Sequence, residues 1–209
     1  PLTAATGLLL SASCGFQMII SGQEWNISFP WNIPLGSFHI GMDALSAVFV
    51  ILISGIGTLA AVYGRGYLSH EEHDRKVGAS WCWFNLLLAT MLLVVIARDA
   101  FLFLVAWEGM SLSSFFLVMF EHEKPGVKKA GWIYLATTHA GTAFLLVMFI
   151  LMGKDTGFDF SVMQTDGAPA SFIFIAALIG FGTKAGFVPL HIWLPEAHPA
   201  APSHVSALM

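Results

Sequence analysis

The chain has 209 residues, 56% of them hydrophobic and only 11% charged. Soluble domains carry about 25% charged residues, so a water-soluble domain is excluded and a protein that crosses the membrane several times is indicated. The net charge is −4, and the nine Lys plus Arg form no dense basic cluster, which excludes a nucleic-acid backbone as partner.

Residues 2–20 form the first apolar run. The chain begins at Pro1, and no charge of either sign precedes Glu24. Without the positive n-region of a signal peptide, the run reads as a membrane span whose upstream neighbour is missing. Residues 21–41 follow, with Pro30, Pro34, Asn26 and Asn32 among alternating apolar residues such as Ile27, Phe29 and Trp31; this pattern predicts a small extramembrane hairpin. Further apolar runs at 42–63, 79–97, 100–120, 130–152 and 170–190 are each long enough for the roughly 30 Å hydrocarbon core. Residues 203–209 read as the opening of another helix. The expected fold is therefore an all-α polytopic membrane protein with six spans and the start of a seventh, and the chain reads as a piece of a longer protein. Asp43, at the start of the second run, is expected to cap its helix. Cys14 and Cys82 lie in separate apolar runs with no C-x-x-C pair, so neither a disulfide framework nor a cluster or haem attachment site is indicated.

Loop charge orients the spans. Lys and Arg number zero in 21–41, three in 64–78 (Arg65, Arg75, Lys76), one at Arg98, three in 121–129 (Lys124, Lys128, Lys129) and one at Lys154. By the positive-inside rule, 64–78 and 121–129 face the cytoplasm, together with residues 191–204, while the hairpin and the 153–169 loop face outward.

Three ionisable residues sit near the centres of three successive spans: Glu108, His139 and Lys184. A Lys at the bilayer centre costs roughly 2.5–3.5 kcal/mol, so an intramembrane ionisable residue marks a functional site by default. Around Lys184, Gly182, Gly186 and Pro189 predict a broken helix, which lipid tolerates where the freed backbone lines a buried or watery cavity. A carboxylate and an ammonium within reach of each other offset their desolvation, and such a pair can load and release a proton. Structural alternatives stand beside each reading. A Glu108–Lys184 pair can instead fix helix register, and His139, on a face with Tyr134, Thr137, Thr138 and Thr142, can instead be a packing donor. Gly182 and Gly186 also form G-x-x-x-G, a motif of close helix contact. His191, His198 and His204 with Glu196 fit no zinc spacing. Met110, Met119 and Met148 are expected to pack or face lipid.

The run F-G-T-K-A-G-F-V-P-L-H-I-W-L-P-E-A-H-P-A-A-P-S-H-V-S-A-L-M, residues 181–209, resembles the discontinuous seventh helix and following segment of the antiporter-like membrane subunits of respiratory complex I, Mrp antiporters and group 4 hydrogenases. A-W-E-G-M-S-L-S-S-F-F-L-V, residues 106–118, is similar to that family's fifth helix, and G-M-D-A-L-S, residues 41–46, to the start of its third. The A-G after the lysine and the P-S-H-V-S-A-L-M ending look most like the large subunit of formate hydrogenlyase-type hydrogenases.

The resemblance implies a bundle of about fourteen helices with two inverted repeats. Residues 1–78 would be N-terminal helices with the hairpin, and 79–209 most of a first half-channel. It implies that Glu108 and Lys184 are the proton-gating pair; His139 matches no position in the family pattern. It further implies a proton-translocating subunit in a bacterial or archaeal inner membrane, assembled with other membrane and soluble subunits. No cofactor is expected in this chain, with iron-sulfur clusters and a nickel-iron site on partner subunits. A cation/proton antiporter subunit and a structural membrane anchor remain open.

Overall fold

Two aspartates, each standing just ahead of an apolar run, set where two helices begin. In the computed structural model, which describes residues 2–33, 36–68, 74–164 and 169–209, Asp43 Oδ1 accepts from the backbone N–H of Ser46 at 2.7 Å. Asp99 Oδ1 accepts from Phe101 and Leu102 at 2.9 and 3.1 Å. Each carboxylate satisfies N–H groups that the first helical turn leaves without an intrahelical partner. The cap expected of Asp43 is present.

The elements are α1 (Leu2–Ser21), β1 (Trp25–Ile33), β2 (Gly36–Met42), α2 (Ala44–Leu68), α3 (Asp74–Ile96), α4 (Ala100–Val118), α5 (Val127–Gly153), α6 (Ala170–Ala185), α7 (Leu194–Ala200) and α8 (Ser203–Ser206). Among the described residues, four helices are long and apolar enough to cross a membrane: Ala44–Leu68, Val77–Ile96, Ala100–Glu121 and Val127–Gly153. Thr6–Ser21 and Ala170–Ala185 are shorter apolar helices. The six expected runs are thus all helical, in the expected order.

The sixth ends early. Residues 170–190 were one apolar run in sequence, yet α6 stops at Ala185, where Gly186 adopts φ +73° and its N–H turns back to the carbonyls of Gly182 and Thr183. Only a residue without a Cβ takes that left-handed conformation at little cost, so the glycine ends the helix even though Phe187, Val188 and Leu190 continue the apolar pattern. At 16 residues, α6 is roughly 24 Å long. The chain then turns through Pro189 and a short 3₁₀ turn, His191–Trp193, into α7.

Helices pack in sequential pairs, α1 on α2, α3 on α4 and α5 on α6, with α4 also against α5. Phe84, Leu87 and Leu88 of α3 meet Ala60 and Ala61 of α2, Leu117 of α4 and Val205 of α8. Met148 is buried in a second cluster with Trp107, Leu145 and Phe149, while Met110 and Met119 pack at cluster edges. Leu59, Val62, Phe172 and Phe174 are exposed, as lipid-facing side chains would be.

The predicted hairpin is present, antiparallel with Trp25 opposite Met42, Ile27 opposite Ile40 and Phe29 opposite Phe38. It is fastened to the helix ends on one side of the bundle. Asp99 Oδ2 accepts from the N–H and hydroxyl of Ser37, both at 3.2 Å; His39 pairs with Asp159; and Arg98 pairs with Asp43 at 3.0 Å. The hairpin, residue 98 and the loop after α5 therefore share one end, as the loop charges predicted.

The pKa of Asp43 is lowered by the Ser46 N–H and hydroxyl and by Arg98, against a raising effect of burial. At Asp159 burial raises the pKa, but the Ser161 hydrogen bonds and His39 together bring it below the ordinary value of 3.8. A carboxylate whose folded-state pKa is depressed stabilises the fold above its unfolded pKa and loses that effect as pH falls through the folded value. Hairpin docking should therefore hold from pH 8 to 5 as far as these carboxylates go, and weaken below about pH 3.8. Pepsin cleavage of the hairpin in the purified complex measures this, and Asp159→Asn should shift the onset of cleavage to higher pH.

Candidate functional site

Lys184 occupies the last turn of α6, where the free carbonyls and the negative end of the helix dipole favour a cation. Its Nζ donates to Ser111 Oγ of α4 at 3.0 Å and to the Tyr134 hydroxyl of α5 at 3.2 Å. Nζ also lies 5.8 Å from the centroid of the Trp107 ring, a cation–π distance. The Tyr134 centroid is at 5.5 Å, but an ammonium 3.2 Å from the phenol oxygen sits off the end of that ring, so this contact is a hydrogen bond. Ser111 and Tyr134 are fully buried and Lys184 half-buried.

Glu108 does not pair with Lys184. Its Oε2 faces His139 Nε2 at 3.3 Å, and His139 Nδ1 lies 3.1 Å from the carbonyl of Leu135. A carbonyl oxygen can only accept, so Nδ1 carries the hydrogen; in the neutral ring that leaves a bare lone pair on Nε2 aimed at a carboxyl oxygen. The contact is attractive only when one proton lies between them, as imidazolium with carboxylate or as imidazole with carboxylic acid. The geometry therefore suits a single proton shared between the two side chains. The same ring thus contacts the Leu135 carbonyl one turn back on α5 and the Glu108 carboxyl across the bundle.

The two polar groupings are neighbours on α4, where Glu108 and Ser111 are three residues apart and so on adjacent positions of the helix surface. Trp193, not singled out by the sequence, ties the site across the helix break. Its Nε1 donates to the Thr183 carbonyl at 2.7 Å, and its ring makes a T-shaped contact with Tyr134, centroids 5.2 Å apart. A tryptophan in a proline-rich stretch nine residues after the lysine was the available signal. A cavity of about 220 Å³ opens beside Lys184, lined also by Tyr134, Ser114, Trp193, Met91 and Met110.

Of the three helix-break residues, Gly186 makes the break. Gly182 supplies the carbonyl that Phe187 N–H binds at 2.9 Å, and the atoms nearest a Cβ on it would be those of Phe187 and Leu190 in the turn itself. Pro189 lies within the turn. The close helix contact lies elsewhere, between Gly180 of α6 and Gly141 of α5: a Cβ on Gly180 would run into the Leu145 side chain and come 3.1 Å from the Gly141 carbonyl. His191, His198, His204 and Glu196 do not converge. His198 contacts Ser206 at 3.0 Å, His204 packs among Tyr67, Trp81 and Phe84, and Glu196 pairs with Lys129 at 3.6 Å. Among the described residues, no group of three or more His, Cys, Asp or Glu is placed to hold a metal ion.

Residues 97–209 match the family described as NADH:quinone oxidoreductase/Mrp antiporter, TM, and residues 31–76 match that described as NADH-ubiquinone oxidoreductase (complex I), chain 5 N-terminus. The chain belongs to this family of antiporter-like membrane subunits. It is 37% identical to hydrogenase-4 component B of Escherichia coli K12 over 100% of this chain and 31% of that protein. It is 35% identical to NADH-quinone oxidoreductase subunit L of Mycobacterium tuberculosis over 87% of this chain and 29% of that one. The structure of the Mrp complex from Dietzia sp. DQ12-45-1b is similar with a TM-score of 0.80 at 26% identity, over 98% of this chain and 23% of that one. The chain thus spans about a third of the length of the curated relatives it matches.

Proposed function

We propose that this chain is part of a proton-translocating subunit of a multi-subunit redox complex, with Glu108, His139 and Lys184 as the groups that hold and pass the proton. The observation that carries the reading is the pairing pattern: Lys184 is held by the Ser111 and Tyr134 hydroxyls, beside the Glu108–His139 contact at 3.3 Å. When Glu108 is a carboxylate its charge favours protonated Lys184, which bonds Ser111 one helical turn along α4 from Glu108. A proton arriving on the Glu108–His139 pair removes that support, and Lys184 passes its own proton on.

Residues 79–209 serve as the first half-channel, and residues 1–78 flank it and carry the hairpin. The similarity to hydrogenase-4 component B along the whole chain favours a hydrogenase-type complex in a bacterial or archaeal inner membrane. In that setting, iron-sulfur clusters and a nickel-iron site on partner subunits would supply the electron transfer. A cation/proton antiporter subunit is the second reading, favoured by the Mrp structural likeness.

Vesicles containing the full-length complex, with internal acidification followed by a pH-sensitive dye during redox turnover, test the proposal. Glu108→Gln keeps the shape of the side chain but cannot carry the proton. Acidification should fall by about a hundredfold or more, the range of a positioned acid–base group, with the complex still assembled. Unchanged acidification in the variant would make the charges structural. Sodium-dependent uptake without electron transfer would establish the antiporter.

A further inference from the structure

The two hydroxyls that hold Lys184 are not equivalent. Ser111 donates its own hydrogen to the Trp107 carbonyl at 3.1 Å, so toward the lysine it is an acceptor, and a proton delivered there has no onward bond. Tyr134 accepts from Lys184 at 3.2 Å, and among the described residues no group accepts the hydrogen of its own hydroxyl. Tyr134 belongs to the wall of the cavity of about 220 Å³ that Lys184 and Ser114 also line. Ser114 donates to the Met110 carbonyl at 2.8 Å, which leaves its oxygen lone pairs to accept. The phenol ring is 1% exposed. It is braced by Trp193, whose indole N–H is bonded in turn to the residue preceding Lys184. A buried hydroxyl with its acceptor side on the ammonium, its donor side uncommitted and its ring fixed has the form of a relay.

We propose that Tyr134 is the group through which Lys184 releases its proton, and that the cavity beside Ser114 receives it. The inference rests on the proton-translocation reading and adds the next group on the path. As one N–H proton of the Lys184 ammonium moves to the phenol oxygen, the phenolic proton leaves on the cavity side to a water held by the Ser114 oxygen. Tyrosine is neutral before and after, lysine ends as the neutral amine, and one positive charge has moved from Nζ into the cavity. Trp193 acts as a positioning residue, since it touches the phenol and the lysine's helix but carries no proton itself.

The test uses the full-length complex in vesicles, with acidification recorded against pH during redox turnover. Tyr134→Phe keeps the ring, its burial and its contact with Trp193, and removes only the oxygen. Acidification should fall by about a hundredfold or more, with the amount of assembled complex unchanged. Site-specific 3-fluorotyrosine at position 134 provides a second readout that a structural tyrosine would not move. The fluorine makes the phenol more acidic without changing its size appreciably, so the acidification profile should shift toward lower pH. A Tyr134→Phe complex that acidifies at the wild-type rate overturns the relay, and so does a fluorotyrosine profile that stays in place. Wild-type vesicles that do not acidify at all overturn the translocation reading instead.

Discussion

Lys184→Met should abolish proton translocation while leaving the complex assembled. Methionine matches the length and apolar stem of lysine but has neither the charge nor the donors that reach Ser111 and Tyr134 at 3.0 and 3.2 Å. Loss of a positioned proton carrier is worth about a hundredfold to ten-thousandfold in rate, so acidification by vesicles should fall at least a hundredfold. Folding should not suffer, because a central lysine costs roughly 2.5–3.5 kcal/mol to insert and methionine does not. Lys184→Arg separates charge from proton release. A guanidinium keeps a positive charge and can bond both hydroxyls, but it does not deprotonate in proteins. It should be as inactive as the methionine variant, and an arginine variant that translocates would show that lysine acts as a fixed charge. The readouts are dye-reported acidification and the yield of intact complex from detergent extracts.

The sequence was a good guide to where the helices and the hairpin lie and a poor one to which polar residues meet. Helices follow from apolar runs and the hairpin from alternation, because lipid and a half-buried ribbon each impose a period that single residues cannot hide. Glu108 and Lys184 stood out for the same reason, as charges too costly in lipid to be idle. Their partners did not. Matching a glutamate to a lysine by depth along the bundle ignores the angle at which each side chain leaves its helix. Tyr134 and His139 are about 140° apart around α5 at 100° per residue, so what looked like one polar face is two: Tyr134 reaches Lys184, and His139 reaches Glu108. Hydropathy continues through Phe187 and Val188, but the helix break expected from Gly182, Gly186 and Pro189 falls at Gly186, where backbone conformation is decided. The close helix contact was sought at Gly182 and Gly186 and occurs at Gly180, since contact needs a small residue on the opposing helix as well. Gly141 provides it on α5.

That contact yields the second large effect. Gly180→Val should displace α6 from α5 and remove function with every ionisable residue intact. A Cβ at 180 would strike the Leu145 side chain and lie 3.1 Å from the Gly141 carbonyl, while on the other side a Cβ at 141 would lie 3.1 Å from Thr183 Cβ. Leu145 is completely buried, so it cannot swing aside, and backbone oxygen does not yield. Overpacking of this kind costs about 1–3 kcal/mol, and the larger cost falls on the site. Lys184 lies one turn beyond Gly180, and its bonds to Ser111 and Tyr134 are already 3.0 and 3.2 Å long. An outward shift of α6 by about 1 Å carries both past the limit of a hydrogen bond. The Trp193 link to Thr183 would be stretched by the same movement. Gly182→Ala is the control, since its Cβ would meet the exposed Phe187 side chain at 3.2 Å, which can rotate away. The Gly180→Val complex should melt at lower temperature and translocate at a small fraction of the wild-type rate, with Gly182→Ala close to wild type in both. Equal melting and equal acidification for the two variants would mean that the α5–α6 contact does not hold Lys184 in place.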